Sequence, residues 1–184
     1  MNIAISSALA MLLVSVPGGL AQDSPAANPL HGACGSGNIQ YEVKTAKPDK
    51  NHHPEGPAPD KAIVYMIENT RPECFLCDTT ARFGVDGAWI GAAKGNSYFS
   101  FPIDPGSHHL CADLQFVPSS SETTALVSFT AEAGKTYYFR ARLMDQNNSG
   151  RGQEDWVLDL EPLDSDQGTF LVASYALSSY HLKK

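Results

Sequence analysis

This sequence has few basic residues. The chain has 13 lysines and arginines against 20 aspartates and glutamates, a formal net charge of −7 at pH 7. Nucleic acids and anionic membrane surfaces bind proteins through basic faces. The deficit of positive charge therefore argues against both as partners, and its main consequence is solubility.

The sequence also lacks an apolar run long enough for a transmembrane helix, which needs about 20 residues. The stretch Ile3–Val16 is shorter, contains three serines, and is followed by the helix breaker Pro17. We interpret residues 1–21 as a signal peptide, because Gly19 and Ala21 are small residues at the positions that signal peptidase reads. Lysine and arginine are absent from this segment. The alternative is a buried amino-terminal helix, but the polar sequence that follows offers it no packing partner.

No catalytic motif is recognisable. The stretch Gly95-Asn96-Ser97 lacks the strand, Gly-x-Ser-x-Gly and helix of a nucleophile elbow and is typical of a turn. We therefore expect no catalytic residues and no enzyme activity. Burial of roughly fifteen large apolar side chains, at about 1.5–3 kcal/mol each, builds a core without help from a ligand. We accordingly expect neither a metal nor a cofactor.

Cysteine occurs four times, at Cys34, Cys74, Cys77 and Cys111, all beyond the predicted signal peptide. An even number of cysteines in an exported protein indicates disulfides, because the compartment is oxidising. We predict that Cys34 pairs with Cys111 and that Cys74 pairs with Cys77. The competing arrangement joins Cys77 to Cys111 and Cys34 to Cys74, and the sequence favours it almost as well.

Strand alternation supports the first arrangement. In the predicted strand His108–Phe116 the large apolar residues occupy the core face, so Cys111 points to the opposite face. Cys74 and Cys77 are close enough in sequence to bond across a tight loop. Cys34 then remains as the partner of Cys111, and their bond would hold the preceding segment across the outer face of the sheet.

Two chemical alternatives use the same cysteines. Cys74 and Cys77 have the spacing of a redox pair, but they lie in a predicted loop and not at a helix start, where the helix dipole lowers a thiol pKa. His109, Cys111 and Asp113 share one face of a predicted strand, which is an acceptable set of metal ligands. Structural disulfides remain the preferred interpretation of both groups.

The sequence divides into four segments. Residues 22–60 contain six prolines, which prevent a continuous helix or central strand, and we predict a flexible leader there. Within it, Ile39–Val43 alternates and predicts a short edge strand. We expect the β-sandwich domain to span residues 61–176 and a polar tail to span residues 177–184.

Alternating apolar residues recur throughout the domain. Ala62–Ile67 is apolar on both faces, which indicates a central strand covered on both sides. One short helix is predicted, Asp164–Tyr175. We therefore predict an all-β fold, an antiparallel β-sandwich or open barrel with at most one short C-terminal helix. The predicted alternating strands are Thr79–Val85, Tyr98–Ile103, His108–Phe116, 125–131, 137–143 and 156–160.

The stretch Val85–Phe116 organises this domain. Asp86-Gly87 is a strong two-residue hairpin signal. Further turns are predicted at Lys94–Asn96 and Asp104–Gly106, because glycine, asparagine and proline stand where turns need them.

Several pieces of the domain resemble the bacterial DUF2846 family, and their order also looks like the small PEGA-type surface domain. Members of that family are typically exported and have no assigned activity. The resemblance covers roughly Lys61–Met144, implies an exported location, and transfers no catalytic residue. The matching pieces are Lys61–Tyr65, Val85–Gly91, Lys94–Phe99, Pro105–Leu110 and Ala133–Tyr138.

We expect an exported, non-enzymatic module with a binding or structural role in the cell envelope or outside the cell. Its partner would be a periplasmic or extracellular component. The alternative is a metal- or carbohydrate-binding protein, with Trp89 and Tyr98 as an aromatic platform for a sugar, although cross-strand packing is the preferred use of both rings.

Acidic residues alternate along the last predicted strand. Asp155, Asp159 and Glu161 would form paired carboxylates in an enzyme. We predict instead that they form the solvated face of an edge strand, with Arg140 and Arg142 as neighbours.

Overall fold

The computed structural model describes residues 34–35, 39–47, 56–70, 79–115, 123–145 and 156–183. Within these residues the chain forms ten strands and one helix, α1 (Ser165–Ser174), which lies between the last two strands. The strands are β1 (Tyr41–Thr45), β2 (Ala62–Asn69), β3 (Thr80–Val85), β4 (Ala88–Lys94), β5 (Ser97–Ile103), β6 (Gly106–Gln115), β7 (Thr124–Ala131), β8 (Thr136–Asp145), β9 (Trp156–Leu163) and β10 (Ala176–Leu182).

The strands form two sheets, which confirms the predicted all-β sandwich. One sheet has six strands in the order β1-β10-β5-β2-β8-β9, and the other has four in the order β4-β3-β6-β7. The β10–β5 and β2–β8 pairs are parallel, and the remaining pairs are antiparallel. The main core packs between the sheets, and its buried members include Met66, Phe83, Phe99, Leu110, Leu114 and Phe139.

The predicted turns hold, but two of them connect different sheets. Asp86 and Gly87 have φ angles of 48° and 84°, as a type I′ turn requires, and they join β3 to β4 in one hairpin. Gly95-Asn96 carries the chain from β4 into β5 of the six-stranded sheet. The Asp104-Pro105 turn returns it to β6 of the four-stranded sheet.

Strand β2 is buried on both faces, as its sequence predicts. Val64 and Met66 face the core between the sheets. Tyr65 and Ile67 face the other way and pack in a second cluster with residues of α1. The helix therefore covers the outer face of the six-stranded sheet.

Helix α1 confirms the predicted helix. Asp164 caps it, since its Oδ1 accepts a hydrogen bond from the backbone N of Gln167 at 2.8 Å. Gly168 lowers the intrinsic helix propensity but has a packing reason: a Cβ there would overlap the Tyr138 ring, with Cδ2 at 2.5 Å. The glycine lets the helix approach β8 closely, and Val172 is buried in the same cluster.

Two predicted boundaries need correction. The segment 177–184, predicted as a polar tail, contains most of β10, which pairs with β1 and β5. Its fully buried residues, Ala176 and Ser178, are small, and Tyr180 on the same face packs against the core, whereas the hydrophobic Leu177 is exposed.

Part of the segment 22–60, predicted as a flexible leader, also belongs to the sandwich. Its predicted edge strand is confirmed as β1, which pairs antiparallel with β10 at the edge of the larger sheet. The sandwich therefore begins before residue 61. Strand β10 also lies against β4, and β7 lies against β9, so the two sheets approach each other along both sides. No helix among the described residues combines the length and apolarity needed to cross a bilayer.

Candidate functional site

Strand β6 carries three residues that point away from the core and are nevertheless buried: Cys111, Asp113 and Gln115. Alternation with the core residues of β6 places them on the outer face of the four-stranded sheet. All three hold the segment that precedes β2, either directly or through Arg82. We call these three residues, together with Cys34 and Arg82, the leader anchor.

The covalent part of the leader anchor is a disulfide between Cys34 and Cys111, whose Cα atoms are 5.2 Å apart. Cys111 is fully buried and Cys34 nearly so. The predicted pairing of these two residues is confirmed, and the competing bond from Cys111 to Cys77 is wrong. Cys74 and Cys77 lie outside the described residues, so their bond to each other stays a prediction.

Trp89 packs against the disulfide. The guanidinium carbon of Arg82 lies 4.2 Å from the centre of its ring, a cation–π contact. A Cβ on Gly35 would come within 2.5 Å of the backbone N of Trp89, so this close approach requires glycine. Tyr98, in contrast, is buried in the cluster beneath α1 on the other sheet. The structure therefore does not bring Trp89 and Tyr98 together as an aromatic platform.

The ionic part of the leader anchor is the Arg82–Asp113 pair. Arg82 donates from Nε and Nη2 to Asp113 Oδ2 at 2.8 and 2.5 Å, and from Nη1 to the carbonyl of Ile39 at 2.6 Å. The hydroxyls of Thr123 and Thr124 donate to Asp113 Oδ1 at 3.1 and 3.0 Å. Desolvation weakens a shielded ion pair, and the further hydrogen bonds to both partners offset part of that cost. The pair positions the leader at Ile39.

The third part of the leader anchor is the amide of Gln115. Its Oε1 accepts from the backbone N of Tyr41 at 2.6 Å, and its Nε2 donates to the carbonyl of Tyr41 at 3.1 Å. The Tyr41 ring packs edge-on against Tyr180 of β10, with ring centres 5.6 Å apart. Burial raises the pKa of both phenols. Tyr41, the first residue of β1, is thus held in the core.

A second polar cluster lies at the turns after β3 and β5. His108 Nδ1 is 2.6 Å from Asp86 Oδ2, and its Nε2 is 2.8 Å from the carbonyl of Asp104. The backbone N of His109 donates to Asp86 Oδ1 at 2.9 Å. Lys61 Nζ donates to Asp104 Oδ1 at 2.5 Å. We call His108, Asp86, Asp104 and Lys61 the turn hub.

Charges within the turn hub shift the pKa of each partner. Burial disfavours both charged forms in the His108–Asp86 pair, but their hydrogen bond and opposite charges outweigh it. The pKa of His108 is therefore raised above 6.5 and that of Asp86 lowered below 3.8. The hydrogen bond between Lys61 and Asp104 likewise raises the pKa of Lys61 and lowers that of Asp104.

The ring of the neighbouring His109 makes a different contact. Its Nδ1 lies 2.8 Å from the hydroxyl of Ser128, whereas Asp86 contacts its backbone and not its ring. These described residues therefore do not form the acid–histidine–serine relay of a hydrolase. His108 and His109 point to opposite faces of β6, and the ring centre of His108 is 5.9 Å from that of Phe129.

The alternative ligand set of His109, Cys111 and Asp113 is not open to a metal. Cys111 is bonded to Cys34, and Asp113 is bound by Arg82. Across the described ranges no group of three potential metal ligands occurs.

The predicted pairing of acidic residues on β9 with Arg140 and Arg142 of β8 is confirmed. Arg140 pairs with Glu161, and Arg142 lies 3.4 Å from Asp159 and 3.2 Å from Glu161. These carboxylates are neutralised by arginines of the adjacent strand, as expected for a solvated sheet face. Asp155 lies outside the described residues.

Comparison with known proteins identifies no relative: no family model, curated protein or solved structure matches this chain. The resemblance to the DUF2846 family stays a prediction.

Sequence reasoning did not assign roles to Arg82 and Gln115. One signal was present, since Asp113 and Gln115 share the alternating face of Cys111. Once a disulfide places the leader on that face, polar residues two and four positions further along become candidates to hold it.

Proposed function

We propose that this protein is an exported, non-enzymatic β-sandwich module with a binding or structural role in the cell envelope or outside the cell. The observation that carries the proposal is the leader anchor. Its disulfide is suited to an oxidising compartment, because thiols are kept reduced in the cytosol. The surrounding ion pair and amide contacts integrate that disulfide into the fold.

Two features of the sequence support the same location. Residues 1–21 have the pattern of a signal peptide, and the mature chain would begin near Gln22. The resemblance to the DUF2846 family, whose members are typically exported and lack an assigned activity, agrees with a periplasmic or extracellular module.

The state of the polar groups supports a non-enzymatic role. A general base needs a lone pair within reach of a substrate proton. Both ring nitrogens of His108 face protein acceptors, and both carboxylate oxygens of Asp113 accept protein hydrogen bonds. These groups hold protein segments together and do not converge on a common open point.

Fractionation and thiol trapping test the location. The full chain is expressed from its own start in a bacterial host, fractionated, acid-quenched and alkylated without reduction. We expect mature protein outside the cytoplasm, with an amino terminus near Gln22 and with Cys34 and Cys111 protected. In the control variant Cys34→Ser, Cys111 becomes alkylatable under denaturing conditions. Full-length protein in the cytoplasm with both thiols free would contradict the proposal.

Ligand measurements on the purified mature protein test the role. Metal analysis and glycan-array binding address the alternative of a metal- or carbohydrate-binding protein. We expect neither a stoichiometric metal nor a glycan whose binding is lost in Trp89→Ala and kept in Trp89→Phe. A stoichiometric metal, or glycan binding that depends on Trp89 in this way, would replace the proposed role with that alternative.

A further inference from the structure

The imidazole of His108 stands between two groups that only accept hydrogen bonds. One is the Asp86 carboxylate, 2.6 Å from Nδ1, and the other is the Asp104 carbonyl, 2.8 Å from Nε2. A neutral imidazole has one N–H to donate, whereas an imidazolium has two. The protonated ring can therefore satisfy both acceptors, and the neutral ring can satisfy one.

These contacts connect separate turns of the fold. Asp86 lies in the β3–β4 hairpin turn, and Asp104 lies in the turn that crosses from the six-stranded to the four-stranded sheet. Lys61 extends the connection, because its side chain binds Asp104 and its carbonyl accepts from Gly134 N at 2.8 Å, in the β7–β8 turn. The hub thus links three turns and the start of β2.

We propose that His108 is a proton-controlled latch. As an imidazolium it holds the β3–β4 and β5–β6 turns together, and as a neutral imidazole it releases one of them. The latch makes the geometry of this end of the sandwich dependent on the pH of the surrounding compartment.

The surroundings of the ring favour its cationic form. Two carboxylates, those of Asp86 and Asp104, lie on the side of the turns, and the neighbouring cation Lys61 is itself paired with Asp104. Strand β7 presents the Phe129 ring, within the range at which an aromatic face attracts a cation. The raised pKa of His108 agrees with this environment. The titratable or charged groups around the ring are Asp86, Asp104, Lys61, His109 on the same strand and, behind Phe129, Tyr137 of β8.

The direction of the pH effect follows from the two pKa shifts. Because folding raises the pKa of His108, its stabilisation is complete below 6.5 and is lost as pH rises through the folded-state pKa. Because folding lowers the pKa of Asp86, its stabilisation is complete above 3.8 and is lost as pH falls through the lowered pKa. The latch is strongest between these two ordinary values.

Histidine NMR and denaturant unfolding of the mature protein test the latch. At about pH 5.5 we expect protons on both ring nitrogens of His108, and a titration above the ordinary histidine range. Between about pH 5.5 and about pH 8.5 the wild type should lose stability, and His108→Gln should not show this loss. The controls His109→Gln and His181→Gln make the same chemical change outside the latch and should keep the wild-type pH dependence.

Asp86→Asn gives a second, independent readout. Removing the carboxylate charge should move the pKa of His108 towards the ordinary histidine value while the sheets remain formed. This measurement tests the latch even if His108→Gln does not fold. The latch would be overturned by a His108 that titrates at or below 6.5 in the wild type. It would equally be overturned by a titration unchanged in Asp86→Asn, or by a pH-dependent loss that persists in His108→Gln.

Discussion

The side chain of Gln115 pairs with the backbone of Tyr41 as a neighbouring strand would. It accepts from the Tyr41 N–H at 2.6 Å and donates to the Tyr41 carbonyl at 3.1 Å. Tyr41 belongs to β1 of the larger sheet, and Gln115 ends β6 of the smaller one. Strand β1 pairs with β10 in the larger sheet, and this amide ties it to the smaller sheet as well, which is why the leader anchor should matter for stability.

Gln115→Met should destabilise the protein by about 1–3 kcal/mol, because a side chain of similar size leaves two buried backbone groups without partners. Urea unfolding monitored by circular dichroism measures the change. The matched control is Gln167→Met on the exposed surface of α1, expected to stay within about 0.5 kcal/mol. Equal effects of the two substitutions on the free energy of unfolding would show that the contacts between the Gln115 amide and Tyr41 are not needed for stability.

Replacing both Cys34 and Cys111 by serine should cost about 4–5 kcal/mol, because the disulfide closes a loop with a sequence separation of 77 residues. Denaturant unfolding of the oxidised wild type and of the double variant measures this loss in the free energy of unfolding. Replacing Cys74 and Cys77 by serine is the control, and it should cost less because the loop that the predicted bond closes is far shorter. A larger loss in the control would contradict the leader anchor as the dominant covalent constraint.

Gly168→Ala should destabilise the protein by about 1–3 kcal/mol through overpacking, although alanine is favoured over glycine in helices by up to about 1 kcal/mol. The added Cβ overlaps the Tyr138 ring beneath α1. Thermal unfolding compared with Gln167→Ala, an exposed change one residue away, isolates the packing effect. A higher melting temperature for Gly168→Ala would mean that α1 does not approach β8 this closely.

Gly87→Val should cost about 1–2 kcal/mol, because φ at this position is 84° and a β-branched residue is strained there. Gly56→Val is the control, since a Cβ at Gly56 meets nothing within 4 Å. The melting temperatures of both variants test the turn. No difference between them would refute the type I′ assignment.

Much of the local structure was predictable because its cause is local. Period-two alternation in β6 places Leu110 on one face and Cys111 on the other, whatever covers those faces. The Asp86-Gly87 turn follows from the positive φ angles that glycine tolerates. The hairpin, the helix, the outward direction of Cys111 and the strands other than β10 could therefore be inferred without coordinates.

The sheet assignment and the burial of the outer face depend on contacts that are remote in sequence. A turn signal such as Gly95-Asn96 specifies a reversal, but not whether the next strand joins the same sheet. Alternation shows where Gln115 points, but not that the leader covers it. In β10 the buried Ser178 beside the exposed Leu177 inverts the hydrophobic pattern. The hydroxyl of Ser178 lies 2.6 Å from that of Ser97, a hydrogen-bond partner that is remote in sequence.

The leader anchor and the turn hub show the same difference between what neighbouring residues specify and what remote contacts specify. Alternation and turn chemistry imply that Cys111 meets something outside the core and that Asp86 lies in a tight turn. The identities of their partners come from the fold, which brings Cys34 to Cys111 and places Asp86 and Asp104 on opposite sides of His108. Faces and turns are properties of neighbouring residues, whereas Cys34 and Cys111 are 77 positions apart and Asp86 and His108 are 22 apart, so these pairs meet only once the tertiary fold is formed.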